Sequence, residues 1–379
     1  MQIWLFNPPT DRLSVQALQT AGVSTIVTSG KTTDMAHENA LYNVFDHYAM
    51  IHVFTSTAQT EDQAIDIHQQ PVQWFNSGCP NSPTIRSRFY AEMERLLAQP
   101  IRGVFLDGVR FSSPDSSTNP TSFLSCFCSQ CKQDMTSRGY DALSITKDVQ
   151  SIAEMLCSPE LTKRWLKALY SPSGWMSLQM AYPGLADWLN YRVDCITEFV
   201  QELAIWMKAR HPHKELAAFL FQPCLAYFVG QGYNRLSPHL KIVSPMIYRN
   251  YQHRPGPATI NQEIATMARF VHEASRLPFS ECIEDLLRIL GPKIDGDVPQ
   301  DPQGPLAMSI EHATDEVLAA TALAGSQDKV VPIIWAGDPK LRQILAELRG
   351  IGLKNCILFT YEAGLASHGE GFNELYAQG

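Results

Sequence analysis

The sequence predicts an α/β fold, a (β/α)8 TIM barrel with long insertions after strands 3, 4 and 6. Three observations carry this. Short β-branched or apolar runs alternate with longer amphipathic stretches, the pattern of βα units on a parallel sheet. Eight such runs fit within 379 residues, as a barrel with insertions requires. The first run ends in Asn7-Pro8-Pro9, where an open dinucleotide-binding sheet would carry a glycine-rich phosphate loop.

The first strand is Ile3-Trp4-Leu5-Phe6, and a helix over 11–20 follows, closed by Gly22. The second is Thr25-Ile26-Val27-Thr28, ended by Ser29-Gly30, and the third Ile51-His52-Val53-Phe54-Thr55. A long connection with Trp74, Cys79 and Pro80 leads to a helix over 83–99. The fourth strand, Gly103-Val104-Phe105-Leu106-Asp107, is the clearest. Residues 112–183 form an insertion, loop first and irregularly helical after about 132, and a long helix spans 185–210. Its apolar positions Leu189, Val193, Ile196, Val200 and Leu203 fall near helical spacing.

Strand five is 216–221, ended by Gln222-Pro223, and strand six is 242–248. Helices over 259–275 and 280–290 precede a Pro-, Gly- and Asp-rich loop over 291–305. A helix over 313–324 leads to strand seven, 330–335, and Asp338 and Pro339 read as N-cap and first residue of the next helix. Strand eight is 356–361. Leu306 to Glu311 also has strand character, which would raise the count to nine. No internal repeat or low-complexity segment occurs. The chain therefore reads as a single barrel over 1–379, with 112–183 inserted in it.

Composition narrows the function. The chain is 45% hydrophobic and 18% charged, enough to bury a large core. A net charge of −8 argues against nucleic-acid binding, which needs a concentrated basic surface. The N-terminal MQIWLFNPPTDR lacks the basic and apolar regions of a signal peptide, and no run approaches the ~20 apolar residues of a membrane span. The expectation is a cytoplasmic protein without membrane or nucleic-acid partners. Barrels of this kind commonly self-associate, so a homo-oligomer fits. Nine cysteines in a reducing compartment should be free, buried or on a metal.

In a parallel barrel the reacting groups stand at the C-terminal strand ends. Those ends read Asn7, Ser29, Ser56, Asp107 with Arg110, Gln222, Tyr248 with Arg249, Trp335 with Asp338, and Tyr361 with Glu362. Aromatic faces suit the apolar face of sugar rings, and carboxylates and arginines suit hydroxyls. Asp107 emerges from an apolar strand, where a carboxylate is costly without a partner or a task. Arg110, three residues on, would hold it ionised; pairing that only fixes the loop is the bland alternative.

Gly103-Val-Phe-Leu-Asp107-Gly-Val-Arg110-Phe111 resembles the fourth-strand motif G-I-(F/H)-L-D-x-(I/V)-R-(F/Y) of glycosyl-hydrolase-like TIM barrels. Cys79-Pro80-Asn81-Ser82-Pro83 and Cys126-Phe127-Cys128-Ser129-Gln130-Cys131 are similar to flanking motifs of one such group. Ser244 to Tyr248 and Ile357 to Tyr361 resemble its sixth and eighth strands. The resemblance covers most of the chain loosely and the quoted motifs closely. It implies a barrel, a saccharide substrate and an aspartate near the scissile bond.

Glycoside cleavage generally uses two carboxyl groups, roughly 5–5.5 Å apart for retention and 6.5–9.5 Å for inversion. Related barrels often carry an acid at the end of strand five or six. Here those ends read Phe221-Gln222-Pro223 and Ile247-Tyr248-Arg249. Candidates for the second group are Glu362 first and Glu311 second; Asp338 and Glu281 suit helix-start roles better. Trp74, in the third βα loop, is a sugar-subsite candidate. Tyr248 and Arg249 would bind or polarise substrate, although Tyr248 suits the core equally. Trp4 and Trp335, within strands, suit core packing. His37, His47 and His52 receive no role.

Cys126, Cys128 and Cys131 form C-x-C-x2-C, and Cys79 in the preceding loop supplies a fourth thiol. Four thiolates make a closed structural zinc site, stapling two loops beside Asp107. The alternative is reduced or disulfide-paired cysteines. Cys157, Cys195, Cys224, Cys282 and Cys356 sit among apolar residues and read as buried hydrophobes. The expected activity is that of a glycoside hydrolase or transglycosidase with Asp107 as nucleophile or base. A non-catalytic carbohydrate-binding barrel is the alternative. A metal-dependent sugar isomerase or lyase is disfavoured, because catalytic metals favour His and carboxylate ligands with an open position.

Overall fold

The computed structural model describes residues 1–8, 12–20, 22–29, 44–56, 62–72, 76–116, 120–251 and 259–359. Eight parallel strands form one sheet: β1 (Gln2–Phe6), β2 (Thr25–Ser29), β3 (Asp46–His52), β4 (Gly103–Asp107), β5 (Glu215–Leu220), β6 (Ile242–Pro245), β7 (Ile333–Trp335) and β8 (Asn355–Phe359). Their order is β6-β5-β4-β3-β2-β1-β8-β7. Parallel bridges Val243–Val330 and Met246–Ile333 join the two outer strands, so the sheet nearly closes into a barrel. An open doubly wound sheet would leave those edges apart.

Alternation along the strands sends every second residue inward. The interior is filled by aromatic side chains. Trp4 stacks on Tyr48 at 5.7 Å, and Phe105 stacks on Phe219 at 4.6 Å. Nearer the C-terminal ends, Phe359 meets Phe6 at 5.2 Å and Tyr248 at 5.5 Å. This packing makes a solid floor beneath the strand ends, and it gives Trp4 and Tyr248 core positions.

Helices follow the strands: α1 (Arg12–Thr20), α2 (Pro83–Leu97), the insertion helices α3 (Ser129–Ser137), α4 (Ala142–Leu156), α5 (Pro159–Ala168) and α6 (Pro172–Ala181), then α7 (Pro183–Arg210), α8 (Ile260–Ser275), α9 (Phe279–Leu290), α10 (Ile310–Ala324) and α11 (Leu341–Gly350). The long connections lie after β3, β4 and β6, as the sequence predicts. Among the described residues, no helix is long and apolar enough to cross a membrane.

Three local expectations are corrected. The third strand runs over Asp46–His52, not 51–55, because its partner β2 aligns Thr25 with Asp46 and Ser29 with Met50. Val53 and Phe54 are a buried turn beyond the strand. The segment from Leu306 to Glu311 is no ninth strand; Met308 makes one bridge to Ile294, and Ile310 already begins α10 behind the N-cap Ser309. Asp338 is not the N-cap of α11. That position belongs to Lys340; Asp338 stands two residues earlier, where its Oδ1 accepts from the Lys340 N–H at 2.8 Å and also meets Arg249.

Candidate active site

Asp107 ends β4 on the inward face, and Gly108 follows it with φ +67°. The Asp107 side chain is 37% exposed, so it opens toward solvent at the barrel mouth. Its neighbour across the β3–β4 pair is His52, the last residue of β3. His52 Nδ1 lies 3.3 Å from Asp107 Oδ2, and His52 Nε2 lies 2.7 Å from Ser77 Oγ. A Cβ on residue 108 would stand 2.5 Å from His52 Cε1, so glycine both adopts the turn and leaves room for the ring.

Burial works to raise the Asp107 pKa. The His52 hydrogen bond, the electrostatics of His52 and Arg110, and the Gly108 N–H outweigh it and hold the carboxyl below the usual range. An ionised carboxylate only accepts hydrogen bonds. His52 Nδ1 therefore carries the hydrogen, and in the neutral ring Nε2 accepts from the Ser77 hydroxyl. The chain Ser77–His52–Asp107 has the order of a serine-hydrolase triad. Ser77 is fully buried, however, so a substrate does not reach its oxygen and the hydroxyl serves to orient the ring.

A cavity of about 570 Å³ reaches Asp107 and runs along α2; Ser29, Met50, His52, Asn76 and Arg88 contribute to its walls. Among the described residues, Glu92 is the other carboxylate on this cavity. It is half-exposed and paired with Arg95 at 2.6 Å.

The remaining sequence-chosen residues divide by environment. Arg110 is buried, its guanidinium 4.5 Å over the Phe221 ring, and burial pushes its pKa down to about 10 against the charges of Glu263, Asp107 and Asp115. Asn7 ends β1 at φ 46°, and its Oδ1 accepts from the Ser29 N–H at 2.8 Å. Gln222 is buried at the end of β5 with Oε1 unbonded. Trp335 packs edge-on against Tyr251 at 5.4 Å. Glu311 lies in the first turn of α10, 70% exposed and 2.6 Å from Lys293 Nζ. Trp74, Tyr361 and Glu362 lie outside the described residues.

Arg249 and Asp338, both chosen as substrate contacts, face each other instead. Arg249 Nε and Nη2 lie 3.2 and 3.1 Å from the two Asp338 oxygens, with both side chains only 2% exposed. Arg249 also reaches Asp295 at 2.7 Å and donates to the Met308 carbonyl. The pair ties the segments after β6 and β7 to the 291–309 loop, and Asp338 Oδ1 accepts from the Lys340 N–H as well.

The four predicted cysteines converge. Cys79, Cys126, Cys128 and Cys131 place their sulfurs within 4.8 Å of one another, a cluster placed to hold a metal ion. Cys79 Sγ lies 3.4 Å from Cys131 Sγ and 3.6 Å from Cys128 Sγ. Donors surround the sulfurs: Ile65 N–H reaches Cys126, Cys131 N–H reaches Cys128, and Asn81 Nδ2 reaches Cys131. The Cys79 to Pro83 segment has a physical reading at each step. Asn81 also donates to Tyr191 at 2.8 Å, Ser82 caps α2 through the Ile85 N–H, and Pro83 occupies the first turn, where no N–H is needed. Of the other cysteines, Cys195, Cys282 and Cys356 are buried, but Cys157 is exposed at the end of α4. Cys224 is half-buried beside polar groups, not an inert core thiol.

Sequence reasoning missed His52 and Ser77. The signal for His52 was the strand end itself, hidden because the apolar Val53 and Phe54 extend the apparent strand past it.

No family model matches the chain, and no curated protein matches it. Among solved structures, a cold-adapted β-galactosidase from Rahnella sp. R3 superposes on 85% of this chain and 47% of its own, with 16% identity and a TM-score of 0.42. A β-galactosidase from the haloarchaeon Halorubrum lacusprofundi covers 100% of this chain and 58% of its own, with 12% identity and a TM-score of 0.47. A group IV chitinase from Ostrinia furnacalis covers 92% and 100%, with 8% identity and a TM-score of 0.36. The chain thus spans about half the length of the two β-galactosidases.

Proposed function

We propose that the protein is a glycoside hydrolase or transglycosidase in which Asp107 acts as nucleophile or base on a saccharide bound at the barrel mouth. One observation carries the reading: a carboxylate held ionised at the end of β4, partly open to a cavity, with His52 fixed against it by Ser77. An anionic group suits attack on an anomeric carbon or activation of water, and not protonation of the leaving oxygen.

The second carboxyl group in this reading is Glu362, with Glu311 as the reserve. In the strand order, β8 stands four places from β4 on either side, diametrically opposite in a closed barrel. Glu362 follows the last described β8 residue, Phe359, by three positions in the sequence, and its candidacy rests on that sequence position. Asn7, Gln222 and Trp335 stand by the strand ends that ring the mouth, Tyr248 packs in the floor beneath them, and Trp74 and Tyr361 are candidates on their sequence positions alone. The resemblance of the fourth-strand and cysteine motifs to the glycosyl-hydrolase-like group supports the same assignment.

For the cysteine cluster we propose structural zinc. Zn–S bonds of ~2.3 Å put the sulfurs of a tetrahedron about 3.8 Å apart, near the separations found. The site would tie the loop after β3 to the N-terminus of α3, shaping the pocket without chemistry of its own. Nine cysteines free of disulfides accord with a reducing, cytoplasmic compartment.

A second reading is a barrel that binds saccharide without cleaving it. Glu92, the other described carboxylate on the cavity, is engaged by Arg95, and that favours it. A panel of aryl glycosides in both α and β linkages separates the two. Release of the aryl group from at least one member supports the hydrolase; saccharide binding by calorimetry with no release from any member supports the binding barrel.

A further inference from the structure

A second cluster of metal-ligating side chains lies apart from both the cysteine tetrad and the Asp107 cavity. Cys224 follows β5, in the short helix Pro223–Ala226. His312 and Glu316 stand one turn apart on α10 and so share a face. A ring nitrogen of His312, a carboxylate oxygen of Glu316 and the Cys224 sulfur all lie within 4.8 Å of one another.

Two observations go beyond proximity. His312 is only 4% exposed, and its Nε2 is buried with no hydrogen-bond partner. A buried unpaired ring nitrogen costs free energy that a ligand would recover. The second is that the helix start holds the residues in place. Ser309 Oγ accepts from the His312 N–H at 3.0 Å, and Glu316 Oε2 accepts from the Cys224 N–H at 3.0 Å, fixing the carboxylate against the cysteine backbone.

We propose that Cys224, His312 and Glu316 form a second divalent-metal site, for zinc or an ion of similar softness. One thiolate, one imidazole and one carboxylate are a borderline-soft donor set that excludes magnesium and calcium, which take oxygen ligands. Three protein ligands leave the fourth tetrahedral position to water. Binding forms the metal–sulfur bond as the thiol proton leaves to solvent. Bonds of about 2.0–2.3 Å in a tetrahedron set the ligand atoms about 3.3–3.8 Å apart, within the 4.8 Å that bounds these three. The ion would clamp the segment after β5 to α10, the helix that leads into β7. This site differs in kind from the tetrad, which has four sulfurs and no open position.

The test uses the full chain, dialysed against Zn2+ at micromolar concentration and then against metal-free buffer, with zinc counted by mass spectrometry. The expected content is about two zinc ions per chain, falling to about one in Cys224→Ser, in His312→Gln and in Cys128→Ser, and to none when Cys224→Ser and Cys128→Ser are combined. Substitution with Co2+ gives an independent readout. Cys128→Ser protein should retain a thiolate-to-cobalt absorption band that Cys224→Ser then abolishes. Circular dichroism confirms that each variant is folded, and Glu316→Gln offers the mildest change if His312→Gln is not. Parent protein holding no more zinc than folded Cys224→Ser or Glu316→Gln protein overturns the proposal.

Discussion

His52 Nδ1 and Asp107 Oδ2 lie 3.3 Å apart across the ends of two adjacent strands, β3 and β4, and the far side of the imidazole is tied to buried Ser77 at 2.7 Å. The ring is therefore oriented from behind and presents a donor to a carboxylate that faces the cavity. A histidine so placed sets the charge state of its neighbour.

The first prediction concerns that charge. His52 helps hold the Asp107 pKa down, so removing it moves that pKa up. In His52→Ala the acid limb of kcat/KM should shift to higher pH, because Asp107 then protonates earlier as pH falls. The rate on the plateau should drop about 10–100-fold from lost positioning. A variant with unchanged acid limb and plateau would separate His52 from the function of Asp107.

Gly108 gives a second test. Alanine at φ +67° costs about 1–2 kcal/mol in backbone strain, and its Cβ would collide with the His52 ring. Gly108→Ala should lower stability in denaturant unfolding by about 2–4 kcal/mol, strain and overpacking together, and displace the acid limb in the same direction as His52→Ala. Stability loss without any change in the pH profile would mean that the ring does not act on Asp107.

Glu263 gives a third, on stability. It is buried on α8, accepts from Ser113 Oγ at 2.5 Å and from the Asp115 N–H at 2.8 Å, and its pKa is pushed up to about 7, first by burial and then by the Asp115 charge. Between pH 4.5 and 7 the folded chain holds a proton here that the unfolded chain has lost. Stability contributed by this group is thus complete at the acid end and falls as pH rises through the window. Thermal unfolding of Glu263→Gln should show a smaller fall in Tm across that range than the parent. Parallel curves would show that Glu263 is ionised throughout.

The eight-strand count and the position of Asp107 were readable because the strand before it is a bounded apolar run and its charge stands at the boundary. The cysteine tetrad was readable because three of its members share one short segment. His52 was not, because Val53 and Phe54 prolong the apolar pattern into a turn, and strand pairing, not hydropathy, sets the true end. The Arg249–Asp338 pair was missed for a different reason. Each residue taken alone suits a strand-end substrate contact or a helix cap, and only the closure of β6 against β7 brings them together. Cys224 likewise looks like a core thiol until α10 places His312 and Glu316 beside it.

The most direct test is turnover by Asp107→Asn of an aryl glycoside that the parent cleaves. The substitution keeps the shape of the side chain and removes its charge. We expect kcat to fall about 10³-fold, with the thermal unfolding midpoint and saccharide affinity close to those of the parent. Parent-like turnover in the folded variant would contradict a role for this carboxylate in bond cleavage.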